Sequence, residues 1–529
     1  MAVEPSWPAE LESVLEHLSQ PDPTLAPCGS PTLALLSRLH ALLRTPTPRA
    51  LAHATHLASH LVRLADDLLN SVPYKDVPLA TRRLYTDAAL LGALARLAPT
   101  ATATATAAER AAQLHQAVRD CDLAIVIAGA PGEHREDLAL DLVRVAQARL
   151  GALGGEPDDD GVRPAKRARV TPTRRRRPRA AAPFLDRPFP TLPSLPSFLP
   201  SPSPSPLSPS TPARHQPFLV RAALADSDAV ARWRSLAYLR AVAGPARVVP
   251  VEVGGDYAAE GWSQRLMDFG AFVDALERAE EEDEEEEGEG EGREGKEEDE
   301  EEEQRERPET LYLAQHALFR QFPTLRRDLP LPDLVYSPPD RDNGGGNDGA
   351  EYVPPQSDDG VVLNAWLGPR GTTSRAHTDP YWNCYVQVVG SKWVWVAPPE
   401  CAPHMAAFGG GSTGAGGGEG EQAAQSYMTN TSTLDVSVPP PPPGRAPSPS
   451  PPPPPPSTST STSTSSAARP AELPDEPAPR AAYPPAFLAE VRPRAFQAVL
   501  EPGDVLVLPP GWWHSLVSLE TSFSVSMWF

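Results

Sequence analysis

The sequence predicts an α+β protein: a double-sheet β jelly roll behind an N-terminal helical bundle, broken by long low-complexity insertions. Three observations carry this. Apolar residues recur at three- and four-residue intervals through the first 153 residues; short β-rich runs take over after residue 216; and Pro, Gly, Ser and Glu tracts without periodicity interrupt the second half. Of 529 residues, 66 are proline and 36 glycine, gathered into a few tracts. The ordered part is therefore nearer about 350 residues, roughly two domains.

Residues 1–153 read as helices. PTLALLSRLHALLR (31–44), LAHATHLASHLVRLADDLLNSV (51–72), TRRLYTDAALLGALARLA (81–98) and EDLALDLVRVAQARLGAL (136–153) each carry one apolar stripe. Such stripes are buried only against one another, which makes a bundle. His53, His56 and His60 fall close together in the second of these, but no Cys or carboxylate stands at matching spacing. Packed or surface histidines are the expectation there.

Periodicity stops over 154–215. A basic segment, RPAKRARVTPTRRRRPRA (163–180), precedes Pro/Ser repeats. The clusters Lys166–Arg169 and Arg174–Arg177 have the form of a bipartite nuclear import signal in an exposed linker. An import receptor is the expected partner and the nucleus, with the cytoplasm, the expected location. A solvated charge run is the plainer reading.

Residues 216–529 read as one β-rich domain with insertions at about 279–308 and 408–480. Neither insertion can bury enough apolar surface to offset its ordering entropy, so both are expected to be disordered loops. FLVRAAL (218–224), RVVPVEV (247–253), TLYLAQHALF (310–319), VVLNAWLG (361–368), NCYVQVVGSKWVWVAPP (383–399), AFQAVLEPGDVLVLPPGWWHSLVSLE (495–520) and TSFSVSMWF read as strands with turn signals, and WSQRLMDFGAFVDALERA (262–279) as a helix.

Bulk properties exclude several classes. Lys and Arg number 47 against 69 Asp and Glu, a net charge of −22. Glu280–Glu303 alone holds 18 acidic and two basic residues, so the charge is one local tract and the remainder is nearly balanced. No specific nucleic-acid binding is expected. Four unpaired-looking cysteines (Cys28, Cys121, Cys384, Cys401) fit a reducing compartment. No secretory pattern opens the sequence, and no apolar run approaches the roughly 20 residues of a membrane span. A soluble intracellular protein is expected.

The chemistry lies in two segments. In an extended chain, alternate side chains share a face, so His377 and Asp379 point the same way. A histidine and a carboxylate so placed make two ligands of a facial metal triad, which by themselves are a weak signal. Near the C-terminus, Pro509-Pro510-Gly511 turns the chain and His514 enters the next strand. In a jelly roll that strand can neighbour the one carrying His377, completing three ligands and leaving positions open for a 2-oxo acid and dioxygen. Lys392 sits between apolar flanks in VVGSKWVW. A buried cation there needs a counter-charge; an exposed strand lysine is the alternative.

NAWLGPRGTTSRAHTDPYWNCYVQVVGSKWVWVAPP, followed by LEPGDVLVLPPGWWHSLVSLETSFSVSMWF, resembles the JmjC domain family, whose fold is a cupin-like double-stranded β-helix. VPVEVGGDYAAEGWSQRLM, LYLAQHALFRQFPTLRRDLPLPD and the helical RDCDLAIVIAGA are similar to its lysine demethylase 8/arginyl C3-hydroxylase subfamily. The resemblance implies an Fe(II)- and 2-oxoglutarate-dependent dioxygenase that consumes dioxygen and releases succinate and carbon dioxide. By position, His377, Asp379 and His514 would be the catalytic metal ligands. Lys392, Tyr312, Ser374, Asn383 and Trp366 would hold 2-oxoglutarate, and Gln315 would face the substrate. Asp between the two histidines leans toward a protein hydroxylase acting on arginine. Histone lysine demethylation at the same site is the alternative, and a catalytically inactive binding module is a third reading. The substrate would be a protein, a histone or another basic nuclear protein. Both insertions exceed the family's usual loops, which puts the substrate contacts in doubt but not the metal site.

Overall fold

A computed structural model describes residues 7–73, 76–98, 105–153, 216–256, 261–290, 309–336, 352–357, 360–408, 429–437 and 483–529. The basic linker with its import signal, the later acidic tract and most of the 408–480 tract lie outside the described residues.

The N-terminal region forms α1 (Ala9–Leu18), α2 (Ser30–Arg44), α3 (Pro48–Leu69), α4 (Leu79–Leu97), α5 (Ala107–Val126) and α6 (Arg135–Leu153). Local sequence sets their starts. The Thr47 hydroxyl accepts from Ala50 N at 3.2 Å ahead of Pro48, and Thr106 with Glu109 forms a reciprocal capping box. Helix α4 is buried from Ala80 almost without break to Leu97, as a central helix must be. Its small residues Ala88, Ala89, Gly92 and Ala93 let its neighbours approach closely. Two buried charges there pair with each other: Asp87 is held by Arg83 of the same helix and by Arg135, each at 3.1 Å. His53, His56 and His60 lie on α3 and join no metal-ligand cluster among the described residues.

The second region contributes β1 (Phe218–Val220), α7 (Asp228–Arg232), α8 (Leu236–Ala243), β2 (Val248–Val253), β3 (Ser263–Asp268), α9 (Phe269–Gly290), β4 (Leu311–His316), α10 (Leu318–Gln321), α11 (Pro323–Asp328), β5 (Val362–Gly368), β6 (Thr373–Thr378), β7 (Asn383–Val389), β8 (Lys392–Ala397), β9 (Phe496–Leu500), β10 (Val505–Leu508), β11 (Trp513–Ser518) and β12 (Ser522–Trp528). Two sheets result: β1-β10-β7-β12-β5-β4-β2-β3 and β6-β11-β8-β9. This is the expected jelly roll on an α+β chain.

Alternation sorts the side chains. On the larger sheet, Cys384, Val386, Phe523, Val525 and Met527 share a core with Trp233 of the α7 end and Phe272 of α9. Their strand neighbours Asn383, Tyr385, Gln387, Ser524 and Ser526 take the opposite face, toward the barrel interior. On the smaller sheet, Trp393, Trp395 and Trp513 pack outward with Met405 and Phe487, while Val394, Val396 and Leu516 join the inner cluster.

Three details depart from expectation. The segment expected to be helical from 262 begins instead as β3, paired with β2 from Val248↔Asp268 to Val253↔Ser263. A short apolar pattern does not choose between helix and strand, and the neighbouring strand decides. Helix α9 then runs on to Gly290, into the acidic tract, because glutamate is a good helix former. Within the 408–480 tract, residues 429–437 lie along β6: Ser432 N donates to Ala376 O at 2.7 Å and Thr378 N to Asn430 O at 3.0 Å. Val436, 3% exposed, anchors them in the outer core. No helix among the described residues is long and apolar enough to cross a membrane.

Candidate active site

Strands β6 and β11 run antiparallel with His377 directly opposite His514, their ring centroids 4.2 Å apart. Asp379 follows the end of β6, and its carbonyl accepts from Gly511 N at 2.9 Å, tying the ligand loop to the turn before β11. That turn needs glycine: Gly511 has φ 78, in the left-handed region. His377, Asp379 and His514 offer ligand atoms that all lie within 4.8 Å of one another.

Hydrogen bonds orient both rings. His377 Nδ1 lies 2.7 Å from Arg375 O and His514 Nδ1 3.1 Å from Trp512 O. A carbonyl only accepts, so Nδ1 is the donor in each ring and Nε2 is the atom turned to the pocket. Those Nε2 atoms lie 3.9 and 3.5 Å from the two Asp379 oxygens. Burial, with the His377 imidazole beside it, holds His514 below the usual imidazole range, so it stays neutral, as a metal ligand must.

Between Leu516 and His514 the pairing slips: β6 uses three steps, Ser374 to His377, where β11 uses two. The extra residue is a β-bulge, which lets Ser374 and His377 face the same pocket despite their odd spacing. Gln315, Trp366 and Asn383 line that pocket too. Trp366 donates through Nε1 to Ser526 Oγ at 3.2 Å, and Asn383 Oδ1 accepts from Met527 N at 3.3 Å.

Lys392 and Tyr312 do not line the pocket themselves. Tyr312 packs against Trp366, which does, with ring centroids 6.1 Å apart. Lys392 is 1% exposed, and its ammonium donates to the Tyr312 hydroxyl at 3.1 Å. Among the described residues no carboxylate lies within ion-pair reach of it. Burial pulls it down to about 7, and holds Tyr312 well above the usual phenol range as a neutral hydroxyl. The residues fit the groups expected of them. Two imidazoles and a carboxylate form the donor set of a facial triad, and a buried ammonium lacking a carboxylate among the described residues makes a receptor for one.

A family profile described as the cupin-like domain matches residues 207–529. The chain belongs to this cupin-like family, in its JmjC branch. Three relatives illustrate the likeness of this JmjC protein to known ones. It is 28% identical to Jumonji C domain-containing protein 5 of Drosophila melanogaster, over 59% of this chain and 54% of that one. Lysine-specific demethylase JMJ30 of Arabidopsis thaliana is 27% identical over 59% of this chain and 49% of its own. Lysine-specific demethylase 8 of Danio rerio is 34% identical over 31% of this chain and 30% of its own. The chain spans about half the length of the first two relatives.

The JmjC pocket also includes residues the sequence reading passed over: Tyr385, Leu516, Ser526 and Trp528. Their signal was present. Asn383 and Tyr385, and Ser526 and Trp528, stand two apart on strands whose other face is wholly apolar, so the polar face marks the cavity wall.

Proposed function

We propose that this chain is an Fe(II)- and 2-oxoglutarate-dependent dioxygenase that hydroxylates a protein side chain, with arginine as the target. The observation that carries the reading is a buried lysine with no carboxylate partner among the described residues, in the same barrel as a His-Asp-His cluster. His377, Asp379 and His514 would hold the iron. Lys392 and Tyr312 would take the far carboxylate of 2-oxoglutarate, with Ser374, Asn383 and Trp366 shaping its berth and Gln315 facing the substrate. With dioxygen, the iron and 2-oxoglutarate supply an oxidant that puts one oxygen atom on a substrate C–H bond and the other into succinate, releasing carbon dioxide.

The chain's own residues do the remaining work. Arg375 O and Trp512 O hold the imidazoles turned with Nε2 inward. Trp366 and Trp528 wall the pocket and limit the entry of water. Lys392 stays charged once a carboxylate meets it, fixing one end of the diacid so the other is aimed.

Arginine as the target rests on the resemblance of the motif segments to arginyl C3-hydroxylases. A second reading, lysine demethylation, is favoured by the names of two relatives. Turnover of 2-oxoglutarate with iron over a library of basic nuclear peptides, read by mass spectrometry, separates them. Gain of one oxygen supports hydroxylation, whereas loss of a methylene with formaldehyde supports demethylation. No iron-dependent succinate formation with any peptide would end both. The basic segment 163–180 supports a nuclear setting, and a fusion with Arg174–Arg177 replaced by alanine should stay in the cytoplasm.

A further inference from the structure

Strand β4 carries one residue more than its partner requires. Leu313 faces Leu367 and His316 faces Ala365, so three steps on β4 match two on β5. At this bulge Gln315 adopts φ 46, a left-handed backbone that side chains larger than asparagine seldom take. The consequence is a reversal of faces: Gln315 lines the pocket, and the next residue, His316, turns away from it.

What holds the bulge comes from the helical bundle. His316 Nε2 lies 2.6 Å from Gln321 Oε1. Gln321 Nε2 donates to Asp122 Oδ1 at 2.7 Å and to Val248 O at 2.9 Å. Two acceptors fix the amide, so its oxygen must face His316 and His316 Nε2 must be the donor. Asp122, on α5, is itself locked: Arg247 donates to both its oxygens at 2.7–3.0 Å, and Val248 N donates at 2.8 Å. Asp122 and Gln321 are fully buried and Arg247 is 4% exposed. A satisfied network in a low dielectric is stiff. Arg320 of α10, beside Gln321, adds a second tie, donating to Glu136 at 2.7 Å and to Gly129 O at 3.0 Å, whereas the tie from Gln147 to Ala243 O at 2.9 Å does not lead to β4.

We propose that the helical bundle is a positioning element of the active site: Asp122, through Gln321 and His316, holds the β4 bulge that aims Gln315 into the pocket and steadies the strand carrying Tyr312. This rests on reading the pocket as the 2-oxoglutarate site. The metal-ligand cluster sits on β6 and β11, in the other sheet, so metal and cosubstrate should respond differently.

The test uses the full chain with Gln321→Met and His316→Phe, which cut the same link from opposite sides, and Gln147→Ala as a control. Three quantities are measured: Mn(II) affinity, 2-oxoglutarate affinity with Mn(II) present, and amide exchange over residues 311–316. In His316→Phe the loss of one buried neutral hydrogen bond should weaken 2-oxoglutarate about fivefold and speed β4 exchange by a similar factor, and Gln321→Met, which also loses its bonds to Asp122 and Val248 O, should do so at least as much. Mn(II) affinity should stay unchanged, and Gln147→Ala should alter nothing. Wild-type 2-oxoglutarate affinity and exchange in both cut variants overturn the proposal. So does a parallel loss of Mn(II) binding, the same loss in Gln147→Ala, or failure of both variants to fold. If Gln321→Met alone misfolds, His316→Phe decides. If the unsubstituted chain binds Mn(II) but not 2-oxoglutarate, the dioxygenase reading fails, and β4 exchange alone judges the positioning role.

Discussion

The Lys392 ammonium meets the Tyr312 hydroxyl at 3.1 Å inside the barrel, a cation and a neutral phenol joined across the two sheets. A hydroxyl stabilises the charge only in part, and burial costs it most of its solvation. The protein therefore holds a deficit that an anionic ligand can fill.

That deficit predicts a pH dependence of stability. Burial pulls Lys392 from 10.5 down to about 7. Between those values the unfolded chain binds a proton that the folded chain lacks, so stability of the ligand-free protein should rise with pH across this window. Below about 7 both states are charged and the full cost is present. Lys392→Met should be more stable than the parent below pH 7 and should flatten the rise. Thermal unfolding across the window checks this, and identical pH profiles for the two proteins would count against it.

The same lysine predicts ligand affinity. A charge-assisted hydrogen bond contributes about 1.5–3 kcal/mol, so Lys392→Met should weaken 2-oxoglutarate at least tenfold in calorimetry with Mn(II) present. Affinity in the parent should also fall as pH rises above about 7, because binding then requires proton uptake by Lys392. A pH-independent affinity would remove Lys392 from the site.

At the triad, His377→Ala and Asp379→Ala should each lower Mn(II) affinity by about a hundredfold or more and abolish succinate formation. Both positions are only partly buried, so the fold should survive, as circular dichroism would show. Retained iron in either variant would move the metal elsewhere.

The turn before Lys392 is a sensitive backbone point. Gly390 has φ 65, and a Cβ there would lie 2.1 Å from Thr521 O. Gly390→Ala should cost about 3 kcal/mol or more, read from denaturant unfolding, and should weaken 2-oxoglutarate through displacement of Lys392. A loss under about 1 kcal/mol would show that the turn adapts.

Much of this was legible in the residues, for identifiable reasons. The H-x-D pair, His514 after a Pro-Pro-Gly turn, and an isolated strand lysine ahead of two tryptophans are local patterns, and the alternation that predicts them is enforced by two buried faces. The bulges were not legible. Ser374 and His377, like Tyr312 and Gln315, stand three apart, a spacing that a regular strand would send to opposite faces; only the partner strands show the extra residue. The strand at 263–268 was missed because its pairing with β2, not its own pattern, makes it a strand. The buried chain from Asp122 to His316 joins residues scattered over three elements, and no sequence spacing encodes it.

Residues 429–437 sit against the strand that bears His377. The chain between β8 and β9 is thereby stitched down along that strand, which divides the connection into two shorter lengths of sequence. Closure entropy grows only with the logarithm of the length between fixed points, so a change in the number of residues on either side of the stitch costs little. The ligand strand keeps its neighbour whatever happens beyond the stitch. Variation in the low-complexity sequence is in this way decoupled from the geometry of the His-Asp-His cluster.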